Sequence, residues 1–416
     1  MNKRSGGFTL RSLATYVRMA LVSEQGETRR VGREHFIPVR PSELIETLAS
    51  SERLSPWESE QFRRVCSQVQ IALHHESRQK QLQLQDAYVG LNPDSDTESL
   101  PGSPDVTSDD NGQVFVSGLL ELLERANFRR LTVEEIEAAI GSASTLGVRL
   151  HLDLDRFQNL ALFVRGETTV SYRKWSWKDR WLRWVEFEVP LHQRLVVLFQ
   201  RKADDDSAEE TAVTYLRLFK NVPRQDIVML LPGGEIRMSL LDRGKILLPM
   251  VSGVGLVLFK MAMLFVAGIF GLIKIAGLIG GAVGSGWKSV NGYWKTKNRY
   301  ELNLTKNLYY QNLDSNLGVV LRLANEAELQ ELREAVLGYF VLLTRGVSST
   351  QELDVAAEAI LRNQSLEVDF EVDDALQKMV RLGICEPTAR KMWRARSPSD
   401  ATGHLMARNL QNALRC

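Results

Sequence analysis

The chain has 416 residues, which is enough for two or three domains. Hydrophobic residues make up 44% of it and charged residues 25%, so the composition supports folded cores. The net charge of +1 at pH 7 excludes a global electrostatic field that would attract nucleic acid or an anionic surface. The three cysteines are far apart and odd in number, which excludes a disulfide framework and a four-cysteine zinc site.

Residues 1–34 are predicted to form a basic N-terminal tail. No acidic residue precedes Glu24, and the segment is rich in hydroxyl-containing side chains. Its basic residues before that point are Lys3, Arg4, Arg11 and Arg18. This composition is typical of a mitochondrial transit peptide. A frayed tail and a first helix of the folded domain are the two alternatives.

Residues 35–245 are predicted to form an α+β domain in which helices come first. Apolar residues at helical spacing predict a long helix over 56–88. Residues 90–112 are rich in Pro, Gly, Ser and Asp. Such a segment buries too little apolar surface to offset the entropy of ordering it, so we predict a disordered acidic loop.

The second part of this domain is predicted to be a sheet. A capping box formed by Thr132 and Glu135 first predicts the start of another helix. From Gly147 the apolar pattern then changes to alternation, which indicates strands. The predicted strands are 161–164, 169–172, 184–189, 194–199 and 213–219. The polar loop before the last strand favours an antiparallel pair, so we expect a mostly antiparallel sheet.

Residues 246–287 are predicted to form a membrane hairpin. This run contains no acidic residue, and its only charged residues before its C-terminal end are Lys260 and Lys274. A helix needs about 20 apolar residues to cross a bilayer. Basic residues flank the run at both ends, so both ends are expected on the same side, after two passes or a re-entrant turn. A fully buried helical hairpin in a soluble core is the alternative.

Several residues of this hairpin are candidate membrane-site residues. A lysine in lipid costs free energy unless its side chain snorkels to the interface. Alternatively, the two lysines line a polar path through the membrane. Glycines four residues apart allow helices to approach closely, within the hairpin or between protomers. The candidates are Pro249, Lys260, Lys274, Gly277, Gly281 and Gly284.

A segment of the predicted sheet interleaves tryptophans with cations. The candidates are Trp175, Trp177, Trp181 and Trp184. Indole rings and cations suit the surface of a membrane, where they meet headgroups and anionic lipids. Single-stranded nucleic acid is a second ligand for such a surface. A hairpin whose tryptophans pack partly in the core is the third interpretation.

Residues 288–390 are predicted to form a small C-terminal helical module, followed by a tail over 391–416. The predicted helices are 326–343, 349–361 and 373–382. Ser349 and Glu352 form a capping box for the second of these helices, and Gly383 is placed to be a left-handed C-cap of the third. Three helices in this order are similar to a helix-turn-helix or winged-helix module.

The sequence contains no recognised catalytic or cofactor motif. It lacks a P-loop, the G-x-S-x-G and H-E-x-x-H patterns and a dinucleotide fingerprint. We therefore predict no catalytic residue, no cofactor and no metal ligand.

Several strings distributed over most of the chain resemble one family. They include HFIPVRPSEL at 35–44, YLRLFKNVPRQDIVMLLPG at 215–233, LYYQNLDSNLGV at 308–319 and VDFEVDDALQKMVRLGI at 368–384. Together they resemble the transmembrane protein 143-like family, a family with a domain of unknown function numbered 3754. The resemblance implies a membrane-anchored protein of bacteria or of eukaryotic organelles, and it implies no activity.

The strings also define family-signature residues of unknown role. These are Phe219, Lys220, Pro223, Asp226, Pro232, Tyr309, Tyr310, Asn312 and Asp314. The chain departs from the family after Asp226, where Val228 stands in place of the expected glutamate, and this argues against a metal site there. The polar and aromatic residues over 309–316 are expected to close a hydrogen-bond network that docks the C-terminal module onto the sheet domain. A ligand site is the alternative.

The sequence thus predicts a membrane-anchored protein that acts as a non-enzymatic interaction or organising protein. A nucleic-acid-binding protein and an enzyme with an unrecognised site are the alternatives. Nucleic acid is disfavoured because the third predicted helix, with Lys378 and Arg381 against Asp373 and Asp374, is nearly neutral. The expected partners are the lipid bilayer and either a protein or a second copy bound through the glycine-rich helix. The expected localisation is integral to a membrane, mitochondrial in a eukaryote and cytoplasmic in a bacterium.

Overall fold

The computed structural model describes residues 28–30, 33–96, 109–141, 149–151, 156–176, 183–201, 213–231, 235–237, 310–388 and 391–414. Contacts along the chain define two compact units. The larger unit consists of residues 27–131, 155–222 and 312–416, and the smaller one of residues 1–26, 132–154 and 223–311. The larger unit is therefore assembled from three separate pieces of the chain.

Eight helices and eleven strands are distributed over the described residues. The helices are α1 (Pro41–Ala49), α2 (Pro56–Tyr88), α3 (Asp109–Arg125), α4 (Val133–Gly141), α5 (Leu317–Arg345), α6 (Thr350–Asn363), α7 (Val372–Leu382) and α8 (Pro398–Ala413). The strands are β1 (Thr28–Arg30), β2 (Arg129–Arg130), β3 (Arg149–His151), β4 (Phe157–Ser176), β5 (Arg183–Arg201), β6 (Thr214–Pro223), β7 (Glu235–Arg237), β8 (Asn312–Ser315), β9 (Ser348–Ser349), β10 (Cys385–Thr388) and β11 (Met392–Ala395).

The main sheet of the larger unit is built around the hairpin of β4 and β5. These two strands pair antiparallel along almost their whole length. The sheet continues in the order β1-β4-β5-β6-β8, with β2 also paired to β4. At Gly166 the backbone of β4 has a φ of +73°, and a Cβ there would lie 2.8 Å from the Gln193 side chain. Glycine is favoured at this position because it alone tolerates both conditions.

α5 carries the two hydrophobic cores of the larger unit. Its first half, including Val319 and Leu323, packs in a core with the end of α2, with α3 and with the inner face of the sheet. Its second half, including Leu332 and Phe340, packs in a core with α1, the first part of α2 and the C-terminal helices. Because α5 contributes to both of these cores, it organises the elements around it.

The C-terminal part of the larger unit has the connectivity of a winged helix. After α5 the elements follow in the order strand, helix, helix, strand, strand, and the strands form an antiparallel sheet in the order β10-β11-β9. The helices predicted over 326–343, 349–361 and 373–382 correspond to α5, α6 and α7. In modules of this type the position of α7 is that of the recognition helix.

Local sequence signals are confirmed where the structure describes them. The helix predicted over 56–88 is α2, and both predicted capping boxes are present. Gly383 is the left-handed C-cap of α7. The four short strands predicted over 161–199 are instead two long ones, because the pairing of β4 with β5 continues past the breaks in alternation.

Two predicted segments differ in extent from the structure. α3 begins at Asp109, inside the loop predicted over 90–112, and residues 97–108 of that loop lie outside the described residues. The predicted tail over 391–416 contains β11 and α8. α8 is ordered because it buries Ala401 and Leu405 against the core.

The prediction of a membrane-anchored fold is wrong. No helix in the described part of the chain is long and apolar enough to cross a membrane. α2 and α5 have sufficient length, but charged residues interrupt both. The same finding conflicts with the predicted integral membrane localisation, whether mitochondrial or cytoplasmic. The predicted hairpin over 246–287 lies outside the described residues.

The smaller unit is described only in part. In it β3 pairs antiparallel with β7, with Leu150 opposite Ile236. α4 packs against a 3-10 helix, Arg224–Leu230. The structure and the sequence agree on the start of α4 after Thr132.

We expect Gly383→Ala to destabilise the winged-helix part of the fold. Gly383 has a φ of +70°, and an added Cβ would collide with the ring of His404 on α8. A left-handed conformation costs an L-residue about 1–2 kcal/mol, so the free energy of unfolding should fall by at least that amount in a denaturant titration.

Gly403→Ala is the matched control for this substitution. Gly403 lies within α8 and has no atom within 4 Å of an added Cβ. Alanine in an exposed helix is more stable than glycine by about 0.5–1 kcal/mol, so this variant should equal or exceed the wild type. Equal effects of the two substitutions would contradict the conformational assignment of Gly383.

Candidate functional site

The most unusual chemical feature of the described structure is a set of polar side chains buried on α5. Gln330, Glu331 and Glu334 are each only 1% exposed. We call these three side chains the buried polar row. Burial of a charge is costly unless the charge is paired and hydrogen-bonded, so the partners of this row determine what it does.

Glu331 is bound by two arginines from distant parts of the chain. Arg125 at the end of α3 donates from Nε to Oε1 at 2.5 Å and from Nη2 to Oε2 at 2.9 Å. Arg381 on α7 donates to Oε2 at 3.2 Å. A bidentate arginine pair fixes geometry as well as charge. Glu331 therefore holds α3 and α7 against α5.

Glu334 is bound by a buried lysine. Lys378 on α7 donates from Nζ to Oε2 in a buried ion pair. The other oxygen, Oε1, accepts from Gln330 at 2.7 Å and from Asn127 at 3.3 Å. Both oxygens of this carboxylate are thus occupied by donors of the protein.

Glu76 extends the network to α2 and α8. Its carboxylate accepts a hydrogen bond from Arg408 of α8 and lies 3.3 Å from Nη2 of Arg381. Because Arg381 also binds Glu331, a single guanidinium links α2 to α5. Four helices in addition to α5 therefore supply charges to one connected network.

The chain segment before α1 also contacts the buried polar row. We call residues 33–40 the entry segment. The backbone N–H of Ile37 donates to Oε1 of Gln330 at 3.3 Å. Glu34 forms a parallel bridge with Val368 in the connection between α6 and α7. The entry segment is therefore held against both α5 and the winged-helix module.

Electrostatics favour the charged forms of Glu331 and Lys378, whereas burial raises the pKa of the Glu334 carboxyl despite the opposing charge of Lys378. Burial raises the pKa of the Glu331 carboxyl, but the hydrogen bonds and charge of Arg125, followed by the charges of Lys378 and Arg381, outweigh burial and lower its pKa. Burial lowers the pKa of the Lys378 ammonium, but the charges of Glu334 and Glu331 outweigh burial and raise its pKa. Glu331 and its arginine partners therefore form ion pairs at neutral pH.

This arrangement is suited to holding helices together. A general base needs a lone pair directed at a substrate, whereas the carboxylates of Glu331 and Glu334 are saturated by donors from the protein. Within the described ranges, no group of three or more His, Cys, Asp and Glu side chains could hold a metal ion. The row is accordingly a candidate organising site.

A second polar network lies where the sheet meets α5. The Oδ1 of Asn316 accepts from the backbone N–H of Leu216 at 3.1 Å and lies 3.4 Å from the oxygen of the Tyr88 hydroxyl. The Tyr88 hydroxyl donates to the carbonyl of Thr214 at 2.8 Å, and Nδ2 of Asn316 donates to Asp94. This network joins the start of α5 to β6 and α2, and Asn316 is the residue of the predicted 309–316 cluster that contributes these contacts.

The structure brings together two groups of family-signature residues that are distant in the sequence. Phe219 is buried on β6 and is the register partner of Asn312 on β8. Asp314 follows on β8 and accepts from Arg322 at 3.0 Å. The signature residues of these two strings are therefore paired through the edge of the main sheet.

The other signature residues are placed as follows. Lys220 is exposed on β6, Pro223 ends that strand, and Tyr310 is exposed just before β8. Asp226 is buried in the 3-10 helix of the smaller unit. Pro232 and Tyr309 lie outside the described residues.

Most of the predicted membrane-site residues lie outside the described part of the chain. These residues are Pro249, Lys260, Lys274, Gly277, Gly281, Gly284, Trp177 and Trp181. Trp175 and Trp184 are register partners near the end of the β4–β5 hairpin. The backbone register therefore places two of the four candidate tryptophans side by side.

One family model matches the chain. It is described as a protein of unknown function (DUF3754), and it matches residues 192–318. The match begins in β5, includes the strands β6 and β8, and ends at the start of α5. No solved structure matches the chain. The comparisons support the family of unknown function and do not support the narrower transmembrane protein 143-like assignment.

The buried polar row was not predicted from the sequence. Glutamates between apolar residues at helical spacing indicate a solvent-facing side, and the partners of these glutamates are far away in the sequence. A signal was nevertheless present, because residues 335–343 are almost entirely apolar. A helix that is apolar on every side is a buried helix, and its charged residues then require partners.

We expect Glu331→Ala to cost about 3–5 kcal/mol of stability, because it leaves Arg125 without its buried counter-charge. Glu60→Ala is the control, since Glu60 pairs with Arg64 on the exposed surface of α2 and should contribute at most about 0.5 kcal/mol. Chemical denaturation of both variants measures the difference. Similar small losses in both would show that the row is not needed for the fold.

We also expect part of the acid sensitivity of the protein to come from Glu331. Its folded-state pKa is lowered, so its contribution is complete above the ordinary glutamate pKa of about 4.3 and is lost as the pH falls through the folded-state value. Between about pH 5 and pH 2, the wild type should therefore lose stability more steeply than Glu331→Gln. Parallel pH profiles of the two proteins would exclude this contribution.

Proposed function

We propose that this protein is a non-enzymatic interaction protein whose winged-helix module binds another protein. The observation that carries the proposal is that the cations of α7 form ion pairs within the protein. Lys378 and Arg381, which occupy the helix that reads nucleic acid in other winged helices, are bound instead by Glu334 and Glu331. Lys378 is therefore buried away from phosphates, and the charge of Arg381 is already balanced by Glu331 and Glu76.

The remaining solvent-facing surface of α7 supports the same proposal. Asp373 and Gln377 lie on it, together with Val380, which is 41% exposed. On the hairpin that corresponds to the wing, Arg394 donates to Glu386 at 2.6 Å. A surface with acidic, neutral and apolar residues suits a protein partner better than the phosphate backbone of a nucleic acid.

The position of α5 supports an organising role within the molecule. α5 fixes the winged-helix module to the helices that precede the sheet through buried ion pairs. The module would thus be presented to a partner in a fixed orientation relative to the main sheet. Such preorganisation lowers the entropic cost of binding.

We also propose that the chain is related to the narrower transmembrane protein 143-like family. Its support is the set of sequence strings over most of the chain, together with the match of residues 192–318 to the family of unknown function. No activity follows from it.

The proposal predicts the outcome of a binding comparison with the full chain. We expect no saturable binding to duplex DNA or single-stranded RNA at low salt, measured by fluorescence anisotropy, because the cations of α7 are already paired. Saturable nucleic-acid binding that is weakened by Arg394→Gln would overturn the proposal in favour of a nucleic-acid reader.

A photocrosslinking side chain at Val380 supplies the positive test in cells. We expect discrete protein adducts from this position and none from Gln79, a control position on the surface of α2. Identical adduct patterns at the two positions, or adducts to nucleic acid at Val380, would contradict the proposal.

A further inference from the structure

A group of arginines lies on the face of α5 that is turned to the main sheet. We call Arg165 on β4, Arg194 on β5, and Arg322 and Arg333 on α5 the arginine cluster. Arg165 and Arg194 are direct register partners in the antiparallel hairpin. Like charges that are directly opposite each other destabilise a strand pair, so this placement requires a compensating negative charge.

One carboxylate is shared among three members of the cluster. Glu326 is ion-paired with Arg165, and its Oε1 lies 3.4 Å from Nε of Arg322 and 3.9 Å from Nε of Arg194. The last distance is too long for a hydrogen bond. A single glutamate therefore cannot neutralise all three guanidiniums.

The other carboxylates near the cluster neutralise its positive charge only in part. Asp314 is paired with Arg322, and Glu34 acts on Arg165 through its charge. Arg333 donates instead to neutral acceptors, the carbonyl of Val39 at 2.5 Å and Oε1 of Gln330 at 3.4 Å. Among the described residues, the three guanidiniums of Arg165, Arg194 and Arg322 thus share two ion-paired carboxylates, those of Glu326 and Asp314, while Glu34 and Glu334 act on Arg165 and Arg333 through their charges.

Two donor atoms of the cluster lack an acceptor. The Nε atoms of Arg165 and Arg194 are buried and have no hydrogen-bond partner among the described residues. A buried donor without a partner costs free energy, and each such atom calls for an explanation. Both atoms belong to the two arginines that oppose each other across the hairpin.

The guanidinium of Arg165 is held in a defined position. It lies over the rings of Phe36 and Phe128, at 5.0 Å and 4.7 Å from their centroids, and it donates to the carbonyl of Ala126 at 3.0 Å. Cation–π contacts and a backbone hydrogen bond fix the ion without neutralising it. Its side chain is 12% exposed, whereas those of Arg194 and Arg322 are 29% and 38% exposed.

Repulsion between the arginines of the cluster also lowers the pKa values of Arg165 and Arg333. Burial is the main cause that lowers the pKa of Arg165. The positive charge of Arg194 lowers it further, whereas the negative charge of Glu326 raises it. Burial, followed by the charge of Arg165, lowers the pKa of Arg333 to about 10. Neighbouring guanidiniums of the cluster therefore disfavour each other's charged forms.

We propose that Arg165, Arg194 and Arg322 form a binding site for a phosphate group. A phosphate dianion accepts hydrogen bonds from several guanidiniums at once and supplies the missing negative charge. It enters from the side of Arg194 and Arg322, which are the more exposed members, and Arg165 forms the fixed inner wall. The site would take either inorganic phosphate or the terminal phosphate of a small monoester.

The test is isothermal titration calorimetry of the full chain with inorganic phosphate, at constant ionic strength set with sodium chloride. We expect saturable binding to the wild type with a dissociation constant below about 10 mM. Arg194→Gln should weaken it about tenfold to a hundredfold, because hydrogen bonds to a charged group are lost. Arg394→Gln, which removes an exposed arginine of the wing, should leave it unchanged.

A second arm uses methyl phosphate under the same conditions. Binding of both ligands would indicate a site for phosphate monoesters, and binding of inorganic phosphate alone would indicate a site closed around the free anion. Either result supports the site if Arg194→Gln weakens the binding of the ligand. Absence of saturable binding to the wild type, or equal binding by Arg194→Gln, would overturn the proposal.

A thermal unfolding measurement in phosphate-free buffer separates binding from a purely structural role. Arg194→Gln removes the charge opposite Arg165, so its midpoint should equal or exceed that of the wild type. Addition of phosphate should then raise the midpoint of the wild type and leave that of the variant nearly unchanged. A marked loss of stability of Arg194→Gln in phosphate-free buffer would show that Arg194 serves the fold through Glu326 and would overturn the site.

Discussion

The structure of the larger unit depends on the pairing of two buried glutamates of α5 with cations from other elements. Glu331 requires Arg125 and Arg381, and Glu334 requires Lys378. Apolar contacts alone would allow the helices around α5 to shift or rotate with little penalty, whereas a buried charge that loses its partner is strongly destabilising. The ion pairs therefore select one arrangement of α3, α5 and α7 among the compact ones that the apolar surfaces permit.

Local signals in the sequence predicted many elements and their boundaries. The helix from Pro56 to Tyr88, the capping boxes and the C-cap at Gly383 depend on residues a few positions apart, and all are present. The local sequence pattern does not show which side chains of α7 face the interior of the protein. Val380 is 41% exposed, whereas Lys378 is buried because Glu334 of another helix holds the lysine inside. Such a choice is decided by a residue 44 positions away, which periodicity cannot detect.

Two sites with charged residues lie along α5, and they differ in their balance of charge. Near Glu331 and Glu334 the cations and carboxylates saturate each other, which suits a permanent contact between helices. Near Glu326 the guanidiniums exceed the carboxylates, which suits a site completed by something that comes from outside. The sequence showed neither site, because the cations of the first come from helices far apart in the sequence and those of the second from two strands and a helix. The match to a family of unknown function covers β6, β8 and Arg194, so part of the second site lies within the matched region.

The order in which the pieces of the larger unit occur in the chain has a consequence for biosynthesis. α2, α3 and the β4–β5 hairpin leave the ribosome long before α5, which supplies the centre of both hydrophobic cores. Until α5 has been made, Phe62 on α2 and Leu119 on α3 have no partner from that helix, and the nascent chain exposes the surfaces that later pack on it. Proteins of this kind expose apolar surface for much of their synthesis, which makes the nascent chain a substrate for chaperones and makes truncated products prone to aggregate.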